Sequence, residues 1–290
     1  MSHFCLDDSP HFRMIELDEV SSTNTFLRDY RPIRPTELTL VTAEYQSAGR
    51  GQATNRWESE RGENLLFSIL AHPRELPLSH IFLLSEAIAL SIREAIIRRL
   101  SAGRNERLNK GDMEVLRGCA EEKVTVKWPN DIYVGDCKIA GILIENEFQG
   151  TSISRCIIGC GVNINQSLFH FPTLAPTGRA GEGLSPTPTS LFQLLGHDTE
   201  RHFVLEDIME GFTRRYAQIQ AGQYEAIQRE YHAALYRSDG FYDYTDAHGT
   251  FRAEITQVEP SGHIVLRDEM GRIRRYAFKE VAFAIEKMKD

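Results

Sequence analysis

Lys127-Trp128-Pro129-Asn130-Asp131, continued by Ile132-Tyr133-Val134-Gly135-Asp136-Cys137-Lys138 and by Ile139-Ala140-Gly141-Ile142-Leu143-Ile144-Glu145, is the stretch on which the reading of this chain turns. Val124, Val126 and Trp128 alternate as the inward positions of a strand do. Pro129 ends that strand, because it has no amide hydrogen to give to a ladder. Asn130 and Asp131 suit a turn. Ile132-Tyr133-Val134 resumes an extended run, Gly135-Asp136 is a two-residue hairpin signal, and a mostly apolar strand returns from Cys137. The pattern predicts a cation, Lys138, just past a tight turn and a carboxylate, Asp131, at the bend before it. Beside a buried sheet, such a pair suits phosphate-transfer chemistry: the ammonium holds phosphate oxygens and the carboxylate a metal ion. Taken alone, the same residues read equally well as a turn and a hairpin.

A second informative stretch lies upstream, where a strand at Leu38 to Val41 leads into Ala43 to Trp57. Gly49 and Gly51 flank Arg50, so the backbone can bend tightly around a guanidinium able to form bidentate bonds with phosphate or carboxylate. Trp57 offers a flat face to a purine or to the Arg56 guanidinium. There is no GxxxxGK[ST] and no GxGxxG opening a helix, so a nucleotide would bind outside the P-loop and dinucleotide-binding schemes. Before this, Arg13 to Leu17 is a strand candidate, and Ser21 to Thr25 supply caps for a helix starting near Asn24. The same hydroxyls and amides could instead bond a polar ligand head group. Leu65 to Leu70 reads as a buried strand. Ile81, Leu84, Ile88, Ile92 and Ile96 step by threes and fours, a helix with one buried face, and 101–122 is a polar surface excursion.

Downstream, Arg155 to Asn165 is an apolar strand with Gly159 and Gly161 where a backbone or a ligand comes close, and Asn163 can present its amide to the same place. Residues 172–189 form a long loop ending in a cap for a short helix from Leu191. Amphipathic helices follow at Leu205 to Ile219 and, past Gly222, at Tyr224 to Leu235. Beyond Ser238 the period changes to two, with turns at Asp246 to Gly249, Pro260 to Gly262 and Gly271, which predicts a small barrel leaning on the main domain.

Composition excludes several classes. The 290 residues, 41% apolar and 26% charged, are those of a globular protein. A net charge of −8 argues against nucleic-acid binding by bulk electrostatics. Five cysteines, at 5, 119, 137, 156 and 160, are odd in number and match no zinc spacing, so five free thiols in a reducing cytosol are expected. Met1 to Pro10 has no apolar core of a signal peptide, and Ile81 to Ile92 is broken by Ser85 and Glu86, so neither export nor a membrane span is expected.

Together, Ser22-Thr23-Asn24, Gln46 with Gly49-Arg50-Gly51 and Trp57, Lys127 to Asp131, Lys138 with Gly141-Ile142-Leu143 and Glu145, and Gly161-Val162-Asn163 resemble the biotin protein ligases, from about residue 13 to the C-terminus. That resemblance implies an α+β fold, a mixed sheet backed by helices (class II synthetase-like), over 1–237, and a small SH3-like barrel over 238–290. It implies an ATP-dependent ligase, in the cytoplasm, that makes biotinyl-5′-AMP and passes biotin to a lysine of a biotin-carrier domain of a biotin-dependent carboxylase. By the same resemblance Ser22, Thr23, Asn24, Gln46, Arg50, Gly51, Gln52 and Lys138 contact biotin. Gly49, Arg50, Trp57, Asn130, Lys138 and Asn163 contact ATP or the adenylate. Asp131 carries Mg²⁺, and Lys138, Arg50 and Asp131 are the catalytic set.

Two departures matter. The family often continues its glycine loop as GRGRRG, where this chain has Gln52-Ala53-Thr54-Asn55, so a cation is missing at Gln52 and looser retention of biotinyl-AMP is expected. No helix-turn-helix precedes the first strand, so a ligase without repressor activity and without a nucleic-acid partner is expected. A homodimer through an exposed sheet edge is compatible with the pattern. The rival readings are a lipoate or octanoate ligase or transferase, a non-catalytic biotin or adenylate sensor, and an adaptor using the barrel. The Gly-Arg-Gly loop and the KWPND hairpin favour biotin over the first, and retention of Arg50, Asp131 and Lys138 speaks against the second.

Overall fold

The hairpin forms where the sequence puts it. In the computed structural model, which describes residues 12–34, 38–51, 56–102, 123–150, 152–169 and 187–284, β5 (Asp131–Val134) pairs antiparallel with β6 (Cys137–Gln149), and Val134 faces Cys137. Gly135 adopts φ +59°, a left-handed conformation that costs glycine nothing. Before the turn, β4 (Val124–Lys127) ends one residue short of Trp128, and the Trp128–Pro129 peptide is cis.

These strands are part of a seven-stranded mixed sheet with β1 (Phe12–Val20), β2 (Leu38–Gln46), β3 (Leu65–Ala71) and β7 (Ser152–Val162), in the order β1-β2-β3-β7-β6-β5-β4. Among these seven strands, as far as the described residues go, β1 and β2 are the one parallel pair and the other neighbours run antiparallel. The outer edge of β4 is closed by the chain near Leu235: the Val126 amide donates to Ala234 O and the Tyr236 amide to Val126 O. β1 is the terminal strand at the other side.

Helices cover both faces. α1 (Thr23–Asp29) packs on the front, where Leu27 meets Val41, Leu70 and Ile157. α2 (Leu83–Ala102), α4 (Arg201–Gln220) and α5 (Tyr224–Ala233) cover the back, with α3 (Leu191–Leu195) capped by the Ser190 hydroxyl, which accepts from the Gln193 amide at 3.2 Å. α2 departs from the expected single buried face. Ser85, Glu86, Ala87, Ala89, Leu90 and Ser91 are buried as well as the apolar stripe, because α4 and α5 lie on the side the sheet leaves open.

A second, five-stranded antiparallel sheet follows: β8 (Tyr242–Asp246), β9 (Gly249–Val258), β10 (Ile264–Asp268), β11 (Ile273–Tyr276) and β12 (Val281–Phe283), ordered β11-β10-β9-β8-β12. The three expected turns are present, with Gly249, Gly262 and Gly271 at positive φ. This sheet does lean on the first. Trp128 Nε1 donates to Gly262 O at 3.0 Å, and the indole meets Phe278 edge-on at 6.2 Å. Cys137, Cys156 and Cys160 are free thiols. Among the described residues no helix is long and apolar enough to cross a membrane. The expectations for Cys5, Cys119, residues 103–122 and residues 172–186 lie outside the described residues.

Candidate functional site

The alternation of β7 builds the site. Side chains two apart share a face. Cys156, Ile158 and Cys160 enter the back core, while Arg155, Ile157, Gly159 and Gly161 face front. Along that front row bulk falls away. Arg155 caps α1, donating to Leu27 O at 2.6 Å and Tyr30 O at 3.0 Å; Ile157 packs under Leu27; the two glycines leave space. Neighbouring strands extend the rows, since Gly159 is opposite Ser68 on β3 and Leu143 on β6, and Gly161 is opposite Gly141. The result is a cleft of about 920 Å³ on the front face.

One end of the cleft is neutral and polar. Gln46 Oε1 accepts from the Thr23 amide at 2.8 Å and from the Thr23 hydroxyl at 3.2 Å. The Ser68 hydroxyl donates to Asn24 Oδ1 at 2.6 Å, with Thr23 Oγ1 2.7 Å away. Asn24 sits directly over Gly159, where a Cβ would lie 2.1 Å from its Oδ1. Ser22 is the N-cap of α1 yet makes no side-chain cap bond, so its hydroxyl does no capping there.

The other end is charged. Lys138 Nζ lies 2.7 Å from Asp131 Oδ1 and 5.7 Å from the Trp57 ring centre. Arg50 Nη1 donates to both oxygens of Glu145, at 2.9 and 3.0 Å, and Arg28 Nη2 donates to Oε1 at 2.7 Å. Asn24 Nδ2 adds a bond to Glu145 Oε2 at 2.8 Å. Burial pushes the Glu145 carboxyl up, but the Asn24 bond and the two guanidiniums outweigh it and hold the group below the usual carboxylate range. Trp57 bridges the glycine rows. A Cβ at Gly161 would come within 2.2 Å of its ring, and one at Gly141 within 3.0 Å. Its Nε1 is buried without a hydrogen-bond partner among the described residues.

Most of the residues expected at a site converge on this cleft. Ser22, Thr23, Asn24 and Gln46 line it, as do Gly49, Arg50, Gly51 and Trp57, and Asp131, Lys138 and Asn163. Asn130 does not: it is buried, and its amide donates to the Ile142 carbonyl. Gln52 lies outside the described residues. Lys127 also points elsewhere. Its ammonium lies 4.7 Å from the Tyr133 ring centre and 5.4 Å from that of Phe283, and burial lowers its pKa, with Asp131 pulling the other way. Ser68 and the role of Glu145 escaped the sequence reading. A lone hydroxyl inside the apolar run Leu65–Ala71 was the available signal for the first. A smaller cleft of about 180 Å³, among Met14, Glu44 and Arg201, contains none of the expected residues.

Residues 17–163 match the biotin/lipoate A/B protein ligase family, just over half of the chain. The chain belongs to that family. It is 25% identical over 264 residues to the bifunctional ligase/repressor BirA of Bacillus spizizenii, covering 91% of this chain and 72% of that one. It spans only 53% and 39% of two further ligase/repressors of that name. It is 27% identical over 236 residues to the biotin–[acetyl-CoA-carboxylase] ligase of Paracoccus denitrificans, covering 80% of this family member and 85% of that ligase. The biotin protein ligase of Aquifex aeolicus, solved in complex with biotin and ATP, superimposes with a TM-score of 0.67 at 21% identity, covering 94% and 98% of the two chains. That likeness extends the shared fold through the second sheet.

Proposed function

We propose that this family member is an ATP-dependent biotin protein ligase, with a catalytic domain over 1–237 and an SH3-like domain over 238–290. The observation that carries the reading is the division of one cleft. A neutral network of Thr23, Asn24, Gln46 and Ser68 stands at one end and the cations Lys138 and Arg50 at the other. A ligand with an uncharged hydrogen-bonding head and a carboxylate tail, lying along the cleft, would meet both.

In the first step the biotin carboxylate oxygen attacks the α-phosphorus of ATP. The bond from that phosphorus to the bridging oxygen breaks, and pyrophosphate leaves with the electron pair. Two anions must approach each other, so cations have to offset their repulsion. Lys138 is held beside the cleft by Asp131 and lies near the Trp57 ring, which suits it to the carboxylate and the phosphate between them. Arg50 serves the phosphate oxygens. Trp57 and Asn163 line the wall on the nucleotide side, Trp57 with its buried Nε1 unpartnered among the described residues and Asn163 with its amide donating to Thr189 O at 2.9 Å. In the second step a lysine amine of the acceptor attacks the acyl carbon, the bond to AMP breaks, and the amine loses a proton. The cleft must stay closed to water meanwhile, because water competes with the amine.

A magnesium ion fits this cleft only as part of the nucleotide. No cluster of three or more His, Cys, Asp or Glu side chains exists among the described residues, and Asp131 is a single carboxylate. Mg²⁺ characteristically uses one or two carboxylates and completes its shell with phosphate oxygens and water. Asp131 would hold it, and when bound it supplies neutralisation of phosphate charge.

The test is incubation with ATP, Mg²⁺, biotin and a biotin-carrier domain, read as a mass gain on the carrier lysine. Lipoate and octanoate run in parallel, with Lys138→Ala as control. Biotin transfer that is lost in the control is the expected result. Transfer of lipoate or octanoate instead would move the chain to the other branch of its family.

A further inference from the structure

Glu145 ties together parts of the cleft that are far apart in sequence. It projects from β6 in the row of Ile157, and its carboxylate takes donors from two directions. Arg28 and Asn24 reach it from α1, and Arg50 from the glycine loop. Two guanidiniums on one carboxylate leave one unit of positive charge in surplus. Arg50 spends only Nη1 on this contact. Among the described residues its Nε and Nη2 make no side-chain hydrogen bond, and the side chain, 40% exposed, borders the cleft. A guanidinium is a rigid planar fork, so fixing one nitrogen fixes the direction of the others.

We propose that Glu145 is a positioning residue for nucleotide binding. It holds Arg50 by one nitrogen over the cleft, so that the rest of the fork faces the phosphate oxygens. The proposal rests on the biotin ligase reading and refines it. Without Glu145 the Arg50 side chain would have to be ordered by the nucleotide itself, at a cost in side-chain entropy each time it binds. The carboxylate also joins the two ends of the cleft, because the Asn24 side chain that accepts from Ser68 donates to it.

The decisive experiment measures biotin-dependent pyrophosphate release by the full chain, by Glu145→Gln, by Arg50→Ala and by the double variant, with thermal transitions alongside. The carboxamide keeps an acceptor for Asn24 and loses the charge that fixes Arg50. Glu145→Gln is expected to lower kcat/KM for ATP by about 10-fold or more, the loss of a charge-assisted bond. Most of the effect should fall on KM for ATP, with KM for biotin within about two-fold, since both ends of the Asn24 amide keep partners. Added to Arg50→Ala, it should cost less than about two-fold, because it acts through Arg50. Independent losses that multiply in the double variant would overturn the proposal. So would an unchanged Glu145→Gln protein, or a parallel rise in KM for biotin with a lowered thermal transition, which would mark general loosening of α1. Absence of any biotin-dependent release by the unsubstituted chain would instead overturn the ligase reading itself, before a variant is measured.

Discussion

The two ends of the cleft are built on opposite principles. At the Asn24 end the partners are neutral and largely satisfied by one another: Gln46 accepts from Thr23, and Ser68 donates to Asn24. At the Lys138 end the two cations Lys138 and Arg50 each have an anion within the protein, Asp131 and Glu145 respectively. A neutral network of this kind recognises by fixed geometry and reorganises little when a ligand arrives. An ion-paired set keeps charge available and can share it with an incoming phosphate. The difference implies that substitutions at one end should chiefly alter affinity for the uncharged head, and at the other the handling of ATP, in its binding or in the rate of the charged step.

The sharpest break is Lys138→Ala. It removes the cation nearest Asp131 and leaves that carboxylate facing the approaching phosphates. Loss of one preorganised charge stabiliser costs about 10²–10³-fold in rate, and that range is expected for biotin-dependent pyrophosphate exchange. Biotin affinity, measured by calorimetric titration, should change far less. An equal loss in both would mean that the two ends are not separable. Gly159→Ala attacks the opposite end. A Cβ 2.1 Å from Asn24 Oδ1 cannot be accommodated unless Asn24 moves, which breaks its bonds to Ser68 and Glu145. Overpacking of this kind costs about 1–3 kcal/mol, and because it displaces a ligand-facing amide, biotin affinity should fall by roughly 10²-fold, about 2.7 kcal/mol. Retained biotin affinity in this variant would show that Asn24 is not part of the head-group site.

Ser68→Ala is gentler. It leaves Asn24 Oδ1 without its buried donor, a loss of about 1–2 kcal/mol, or roughly 5- to 30-fold in biotin affinity, with KM for ATP unchanged. A shift in KM for ATP of the same size would argue that the neutral network also shapes the charged end.

These residues differ in how far the sequence alone reveals them. The hairpin carrying Asp131 and Lys138 was legible because its signal is local: a proline that stops one strand, a two-residue turn, and an apolar return. The C-terminal sheet was legible for the same reason. Gly159 and Gly161 announced a close approach, but what approaches is the Asn24 amide and the Trp57 indole, and neither follows from the strand itself. Ser68 faces Gly159 across 91 positions of sequence, and Glu145 meets Arg50 across 95; such pairings exist only once the sheet register is set. The same applies to α2. Its pattern of threes and fours marks the face on the sheet, while burial of the rest depends on α4, whose sequence begins about a hundred residues later.

α2 also supplies a contrast with Glu145 that can be measured. Burial pushes both carboxyls up. Glu145 has Asn24, Arg50 and Arg28 to reverse the effect, whereas Glu86 is 1% exposed, its Oε2 has no hydrogen-bond partner among the described residues, and its pKa is driven to about 8. Glu86 therefore keeps its proton at neutral pH in the folded chain, while the unfolded chain loses it near 4.5. Between those values the folded state binds more protons, so stability falls as pH rises, by about 1.4 kcal/mol per unit at most from this group. Its contribution is fully present below the unfolded value and is lost as pH rises through the folded one. Glu86→Gln, neutral throughout, should match the parent near pH 4.5 and exceed it progressively toward pH 8, by roughly 5–10 °C if a few kcal/mol are involved. Ligase activity at pH 7 should be unaltered, since Glu86 lies on the back of the sheet. A difference in thermal transition that stays constant across this pH range would mean that Glu86 is ionised in the folded protein and that a partner for it exists on the back face.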